Sequence, residues 1–341
     1  MQGNKVCIPA PHKLSVGRDV LEEAGCELVL GKDQDEHPRH RYTEDELVAL
    51  IGDSDAVWAA QRDFISGAVM RRCPKLRAVI KAAIGYETID VDAATELGIL
   101  VCNSPARENF TGVAEATVGL MSMLFKRLVH NQQLLREGGW KRNEHRGNLM
   151  AGRTVGIVGV GRVGKEVAKR LGPWEMRLMG CDPYITRESV QHLGVELVPL
   201  DTVLRESDLV TLHTPLTEET RQLITLTELR KMKPTAYLVN TCRGGVVKQE
   251  DLAQALNEGV IAGAAVDVFE EEPLPLSDPI RQVDPERLIM TPHIIGTNPQ
   301  SQVSGERMAA QSILAVLAGE APETVVNPAC VDAWRERFGA R

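Results

Sequence analysis

Paired cysteines, long apolar runs and an excess of positive charge are all missing from this sequence, and each absence removes a class of protein. The seven cysteines, Cys7, Cys26, Cys73, Cys102, Cys181, Cys242 and Cys330, are odd in number, widely spread and never in C-x-x-C spacing. That argues against a disulfide framework or a zinc site and fits a reducing compartment. No stretch approaches the roughly 18 apolar residues of a membrane span, and Lys5-Val6-Cys7-Ile8-Pro9 does not lead into the long apolar core of a leader peptide. The expected location is the cytoplasm. Lys and Arg number 39 against 47 Asp and Glu, a net charge of −8, which argues against nucleic acid or an anionic membrane as the main partner. A small molecule is expected instead. His37 and His40, in the charged segment Asp33 to Arg41, have no cysteine or acid at ligand spacing, so no metal is expected.

The chain has 341 residues, 43% of them apolar and 25% charged, with no low-complexity tract or repeat. That is enough for two domains with cores of their own. The stretch from Thr154 to Asp182 organises the rest. Val155 to Val158 reads as a buried strand, and Gly159, Gly161 and Gly164 form a G-x-G-x-x-G that opens the helical run Arg162 to Leu171. Gly159 permits the tight turn out of the strand, Gly161 lets the backbone approach a pyrophosphate, and Gly164 lets the helix pack close to the sheet. The first helical residues, Arg162 and Val163, offer free N–H groups and a positive dipole end to the phosphates. Such glycines also serve as ordinary strand-to-helix turns, and the residues after the helix distinguish the two roles. A second strand, Met176 to Cys181, ends in Asp182, about 20 residues beyond the glycines, where a carboxylate accepts hydrogen bonds from an adenosine ribose. Asp182 would repel a 2′-phosphate, so the expected cofactor is NAD rather than NADP. Its alternative role is that of a turn-forming residue before Pro183.

Before this stretch, Val6 to Pro9, Glu27 to Leu30, Ala56 to Ala59, Ala78 to Ala82 and Leu100 to Cys102 are candidate strands. They alternate with helices such as Glu44 to Ile51, capped by Thr43, and Asp92 to Glu96. The pattern breaks at Asn103-Ser104-Pro105, read as a hinge. A long helix from Gly112 to His130 follows, broad enough in apolar surface for a subunit interface, the alternative being a buried intrachain helix. Beyond Asp182 the alternation resumes, with strands at Glu196 to Val198, Leu209 to His213, Ala236 to Asn240, Ile261 to Val268 and Leu288 to Met290. A final helix, Gln300 to Leu317, can return the chain to the first domain. The fold class is α/β with doubly wound parallel sheets.

In such sheets ligands sit beyond the carboxyl ends of the strands, and three charged groups fall there: Arg243, Glu272 and His293. An enzyme that interconverts a hydroxy acid and an oxo acid with a nicotinamide cofactor needs this set. A guanidinium matches a carboxylate in bidentate fashion, an imidazole exchanges a proton with the substrate oxygen in either direction, and a neighbouring carboxylate favours the imidazolium and holds the ring. Spacing alone leaves structural roles open: Arg243 bonding a carbonyl, Glu272 in an acidic turn with Glu270 and Glu271, His293 in a loop after Pro292.

The run Val239-Asn240-Thr241-Cys242-Arg243-Gly244-Gly245, with Ala265-Val266-Asp267-Val268-Phe269, Glu272-Pro273 and Thr291-Pro292-His293-Ile294-Ile295-Gly296, closely resembles the D-isomer-specific 2-hydroxyacid dehydrogenase family, in its phosphoglycerate dehydrogenase and glyoxylate–hydroxypyruvate reductase branch. The resemblance extends from Ile84-Gly85-Tyr86 through Val113-Ala114-Glu115 and His213-Thr214-Pro215-Leu216-Thr217 to Gly296. It implies a Rossmann NAD-binding domain, residues 105–297, inserted in a flavodoxin-like substrate-binding domain formed by 1–104 and 298–341. It implies that Arg243 binds the substrate carboxylate and carbonyl, that His293 is the proton donor and acceptor, and that Glu272 is its partner. Asp267 would meet the nicotinamide, Thr214 and Pro215 would line the adenine side, and His213, Thr241, Cys242 and Gly296 would complete the cofactor contacts. Backbone N–H groups of Ile84, Gly85 and Tyr86 would meet the substrate carboxylate. A homodimer built on the cofactor domain, and a cleft that closes about Pro105 and Pro299, are further implications.

Three departures bear on substrate and regulation. Cys242 stands where an alanine is more usual: either the site simply tolerates a small apolar side chain there, or thiol modification blocks the cleft. Ile84-Gly85-Tyr86-Glu87-Thr88 replaces a commoner Gly-x-Asp-Asn ending. The sequence stops at Arg341 without the regulatory domain some relatives carry, so feedback through such a domain is not expected. Lys81 falls where phosphoglycerate dehydrogenases carry a basic residue, but Ala60-Gln61 falls where they carry an Arg-Ser pair facing the phosphate, with Arg62 or Arg107 as possible substitutes. An unphosphorylated short acid of the glyoxylate or hydroxypyruvate type is therefore expected, the alternative being D-3-phosphoglycerate. An NAD-sensing co-repressor on the same scaffold is the alternative of another class. A formate dehydrogenase would carry Gln at Glu272.

Overall fold

The computed structural model describes residues 3–13, 15–37, 40–60 and 63–339. Gln61 and Arg62 lie outside the described residues, as do Pro38 and Arg39 of the charged segment after Asp33. The chain divides into two compact units, one of residues up to Asn109 together with Asn298 onward, the other Phe110–Thr297.

The first unit holds a five-stranded sheet of β1 (Lys5–Ile8), β2 (Glu27–Leu30), β3 (Ala56–Ala59), β4 (Ala78–Lys81) and β5 (Leu100–Cys102). The order is β2-β1-β3-β4-β5 and every pairing is parallel, the flavodoxin-like arrangement. Strands β3 and β4 and the edge strand β5 are buried at every position, which is why they read as apolar runs rather than as alternation. Helix Glu44–Ile51 starts at a capping box between Thr43 and Glu46. Helix Pro299–Leu317 brings Ala309, Ala310, Ile313 and Val316 into the core with Val6, Trp58, Ile80 and Leu100. The sequence boundary at 104/105 moves to 109/110. Residues past 104 stay with the first unit because Ala106 is buried, the Ser104 hydroxyl donates to the Lys81 carbonyl at 2.8 Å, and Asn298 Nδ2 donates to the Glu108 carbonyl at 3.4 Å.

The second unit holds a seven-stranded sheet of β6 (Thr154–Val158), β7 (Arg177–Cys181), β8 (Val195–Leu197), β9 (Leu209–Leu212), β10 (Tyr237–Asn240), β11 (Gly263–Val266) and β12 (Leu288–Met290). Its order, β12-β11-β10-β9-β6-β7-β8, is parallel throughout. Strand order reverses between β6 and β9, and a crevice opens beyond their carboxyl ends.

The expected helix from Gly112 to His130 is two helices. Arg107–Lys126 ends at Arg127, which takes a left-handed conformation (φ 51, ψ 41), and Leu128–Arg136 follows. A non-glycine residue in that region costs about 1–2 kcal/mol. Here the Arg127 guanidinium is held by Glu286 at 3.0 Å and by the Glu144 carbonyl. The first helix buries Ala114, Val118, Met121 and Phe125, while the second buries no residue.

Candidate active site

At the switch point two loops touch, and only glycine lets them. Gly159 ends β6 at φ +89, and a Cβ there would come within 2.6 Å of the His213 carbonyl oxygen on the loop after β9. A Cβ on Gly164 would meet the Gly159 carbonyl oxygen at 2.2 Å, so helix Arg162–Leu171 sits hard against the turn. At Gly161 nothing lies within 4 Å of the Cβ position, which leaves open space above the N-terminus of that helix. No side chain caps this end, so its N–H groups, those of exposed Arg162 and half-buried Val163 included, stay available to an anion.

A cavity of about 1050 Å³ lies along these loops, lined by Gly159, Gly161, Asp182, Tyr184, His213, Thr214 and Pro215 among others. Asp182 accepts from Val160 N–H at 2.9 Å through Oδ2 and from Tyr184 N–H at 2.9 Å through Oδ1. It therefore does shape the turn at Pro183, yet its carboxylate still faces the cavity with lone pairs to spare. His213 Nε2 lies 3.0 Å from the Thr211 hydroxyl, while its buried Nδ1 has no hydrogen-bond partner among the described residues. Burial pushes this imidazole down to about 3, so the ring is neutral. Glycine cradle, open helix N-terminus and a cavity-lining carboxylate at the end of β7 fit a dinucleotide.

The carboxyl ends of β10, β11 and β12 carry the second group of residues. Gly244 packs so tightly on the next loop that its Cβ would fall 1.9 Å from the Phe269 carbonyl carbon, which sets Arg243 beside the segment leading to Glu272. Arg243 Nη1 donates to the Cys242 carbonyl at 2.7 Å, and Asn240 Nδ2 holds the Arg243 carbonyl at 3.0 Å. Glu272 Oε1 accepts from Phe269 N–H at 3.0 Å, and Glu272 Oε2 lies 2.6 Å from His293 Nδ1. The hydrogen bond it donates to Glu272 raises the His293 imidazole against the opposing effect of burial, with the charges of Glu272 and Asp267 adding to it. Burial alone would push the Glu272 carboxyl up. Its bonds to His293 and Phe269, with the His293 and Arg243 charges, outweigh this and hold it below its usual range.

Asp267, 2% exposed, fixes the loop that presents His293. Its carboxylate accepts from the Thr291 hydroxyl at 2.6 Å and from Ile294 N–H at 3.0 Å, and its carbonyl accepts from His293 N–H at 2.8 Å. This binding lets His293 hold a left-handed φ of 51. Gly296 lies in the turn beyond it, half-buried. Thr241 follows β10, its hydroxyl 3.0 Å from Thr117 Oγ1, and Thr117 Oγ1 donates to the Val113 carbonyl at 2.7 Å. Thr117 was silent in sequence, an apolar-face threonine in a helix; only the Val113-Ala114-Glu115 run just before it carried a signal.

Of the two readings of Cys242, its place in the structure favours the small apolar side chain. Its side chain lies within the core beneath the site, 9% exposed, with Sγ 3.2 Å from Asn240 Oδ1. Burial pushes the thiol up, away from the exposed thiolate that modification requires.

In the first unit, Ile84, Gly85 and Tyr86 form the loop after β4. Asn103 Nδ2 donates to the Ile84 carbonyl at 2.8 Å. Among the described residues the N–H groups of Ile84, Gly85 and Tyr86 meet no acceptor. Lys81, 2% exposed, donates to the Ala60 carbonyl at 2.5 Å, and burial lowers its ammonium to about 8.

Residues 118–294 match the family described as D-isomer specific 2-hydroxyacid dehydrogenase, NAD binding domain. The chain is 38% identical over 326 residues to a glyoxylate reductase of Thermofilum pendens, covering 94% of this chain and 92% of that one. It is 38% identical to a D-3-phosphoglycerate dehydrogenase of Methanocaldococcus jannaschii, covering 84% of this chain but 54% of the relative. The crystal structure of the TT0316 protein from Thermus thermophilus superposes with a TM-score of 0.84 at 30% identity, over 94% of this chain and 99% of that one. The chain belongs to the D-isomer specific 2-hydroxyacid dehydrogenase family, NAD-dependent oxidoreductases that interconvert a D-2-hydroxy acid and its 2-oxo acid.

Proposed function

We propose that this enzyme reduces an unphosphorylated short 2-oxo acid, of the glyoxylate or hydroxypyruvate type, with Arg243, Glu272 and His293 as its catalytic residues. The observation that carries the reading is the hydrogen bond between His293 and Glu272 within electrostatic range of the Arg243 guanidinium. NAD, when bound in the crevice of the 110–297 unit, supplies or takes up the hydride. Arg243 binds the substrate carboxylate and polarises the carbonyl beside it. His293, kept protonated by Glu272, delivers a proton from Nε2 to the carbonyl oxygen during reduction and recovers one in the reverse direction. The 1–109 and 298–341 unit takes the substrate, with the free N–H groups of Ile84, Gly85 and Tyr86 as further carboxylate donors. Gly159, Gly161, Gly164, Arg162, Val163 and Asp182 are assigned to the pyrophosphate and ribose, and Asp267, Thr241 and Gly296 to the nicotinamide side.

Substrate choice rests on charge. A phosphate dianion drawn from water needs several cations or donors, and loss of one charged hydrogen bond costs roughly 1.5–3 kcal/mol, or about one to two decades. Lys81 is committed to the Ala60 carbonyl in a buried setting, and Arg107 is exposed at the start of its helix. The glyoxylate reductase likeness supports the same choice. The phosphoglycerate dehydrogenase likeness keeps D-3-phosphoglycerate as the second reading. Comparing kcat/KM for glyoxylate, hydroxypyruvate and phosphohydroxypyruvate with NADH tests it: the unphosphorylated acids are expected to be preferred, and a clear preference for the phosphorylated one overturns the proposal.

A cytoplasmic homodimer completes the proposal. No helix among the described residues is long and apolar enough to cross a membrane. Leu128, Leu135, Trp140 and Leu149 are 50%, 61%, 70% and 66% exposed, an apolar surface that a second copy would cover. Sedimentation or light scattering at assay concentration checks it.

A further inference from the structure

A tyrosine ties together two loops of the nucleotide crevice. Tyr184, 79% exposed, comes after Asp182 and Pro183 on the loop beyond β7, and its phenol donates a 2.8 Å hydrogen bond to Glu219 Oε2 on the loop after β9. Strands β7 and β9 are not neighbours, because β6 lies between them. The bond therefore reaches across the edge of the strand that feeds the glycine loop. At its other end, Tyr184 N–H holds Asp182 Oδ1 at 2.9 Å. One residue thus links both carboxylates, and both press its phenol upward, Glu219 through the hydrogen bond and its charge, Asp182 more weakly. Asp182, Tyr184 and Glu219 all line the cavity. With Glu218 they set three carboxylates against one guanidinium, that of Arg187, among its described lining residues.

We propose that Glu219, held in place by Tyr184, is a second determinant of cofactor choice, which acts with Asp182 to reject the 2′-phosphate of NADP. Tyr184 is its positioning residue. The inference rests on reading this crevice as the cofactor site with Asp182 at the ribose. A 2′-phosphate placed there adds negative charge beside a wall already rich in it. An exposed aromatic ring gains little from solvent, and its use here is as a spacer that fixes the place of the Glu219 carboxylate on that wall. Glu219 is exposed, so the repulsion acts through solvent and is modest and salt-dependent.

The test is the ratio of kcat/KM for NADH to that for NADPH, read beside Kd for each cofactor from fluorescence titration without substrate, in the wild type, Asp182→Ala, Glu219→Gln, Glu219→Asp and Tyr184→Phe, at low and at molar salt. Glu219→Gln is expected to narrow the preference for NADH by about three- to tenfold at low salt, through KM for NADPH and with little change in kcat. The change should shrink at molar salt. Glu219→Asp, which keeps the charge, should retain most of the discrimination, and Tyr184→Phe should shift the ratio in the same direction as Glu219→Gln but less. An unchanged ratio in Glu219→Gln overturns the proposal, as does an equal loss for both cofactors, which would make Glu219 a contact to the adenosine they share. If Asp182→Ala narrows the ratio and Glu219→Gln does not, this inference alone falls. If neither substitution moves KM for either cofactor, the reading of the crevice falls with it.

Discussion

His293 Nδ1 lies 2.6 Å from Glu272 Oε2, and this contact decides which ring nitrogen is left for a substrate. With Nδ1–H donated to the carboxylate, Nε2 carries the exchangeable proton. Both residues reach the contact from strand ends: Glu272 through the loop after β11, and His293 through the loop after β12 that Asp267 holds.

Reduction requires the imidazolium, so reductive kcat/KM is expected to persist below the raised His293 pKa and fall above it. Glu272→Gln removes the largest cause of that elevation. The fall should then occur at lower pH, and a profile that stays in place would separate the two residues functionally.

The same pair predicts a window for stability. The raised imidazole contributes stability below its ordinary value, and loses it as pH climbs through the raised one. The lowered carboxyl contributes above its ordinary value, and loses it as pH drops through the lowered one. Both contributions are complete between roughly pH 4.3 and 6.5. The difference in melting temperature between the wild type and Glu272→Gln should peak there, and a difference flat from about pH 4 to 9 would contradict it.

Arg243→Ala is expected to lower kcat/KM by at least about one to two decades, the loss of a charged hydrogen bond, while NADH titrates nearly as before. Fluorescence of bound NADH measured beside steady-state turnover gives both numbers. Turnover at the wild-type rate would remove Arg243 from the mechanism.

Gly244→Ala tests positioning without touching a charged group. The added methyl collides with the Phe269 backbone, and overpacking of this kind costs about 1–3 kcal/mol. Since the collision pushes apart the loops that carry Arg243 and Glu272, kcat should fall more than the melting temperature suggests, and NADH affinity should hold. A normal kcat in a folded Gly244→Ala protein would count against the proposed pairing of these loops.

Alkylating reagents should not inactivate the enzyme through Cys242, because that thiol is buried and held protonated. Inactivation that Cys242→Ala abolishes would restore the reactive thiol.

Both sheets were legible because parallel strands buried on two faces stand out as short apolar runs between helical patterns. The glycine loop was legible because each glycine meets a separate steric demand at 159, 161 and 164. The break at Arg127 was not: Leu128 and Val129 continue the apolar pattern, and the guanidinium of the left-handed residue meets Glu286, far away in sequence. The burial of Cys242 was hidden too, since a cysteine beside an arginine reads as activated until packing shows its sulfur turned into the core. Thr117 needed the same third dimension, because its partner Thr241 sits on a strand end that only the fold brings near.

The return of the chain to its first unit has a consequence for synthesis. Trp334 is fully buried and donates to the Arg77 carbonyl at 3.0 Å, and Ile313 and Val316 fill the same core. Although strands β1 to β5 leave the ribosome first, the apolar face they present to helix Pro299–Leu317 has nothing to cover it until the whole intervening unit has been made. At roughly 5–20 residues per second that is a wait of about 10–40 s. The inserted unit, continuous in sequence, can finish folding during that wait. The unit begun before the inserted one closes after it, and it is the part on which a chaperone would act.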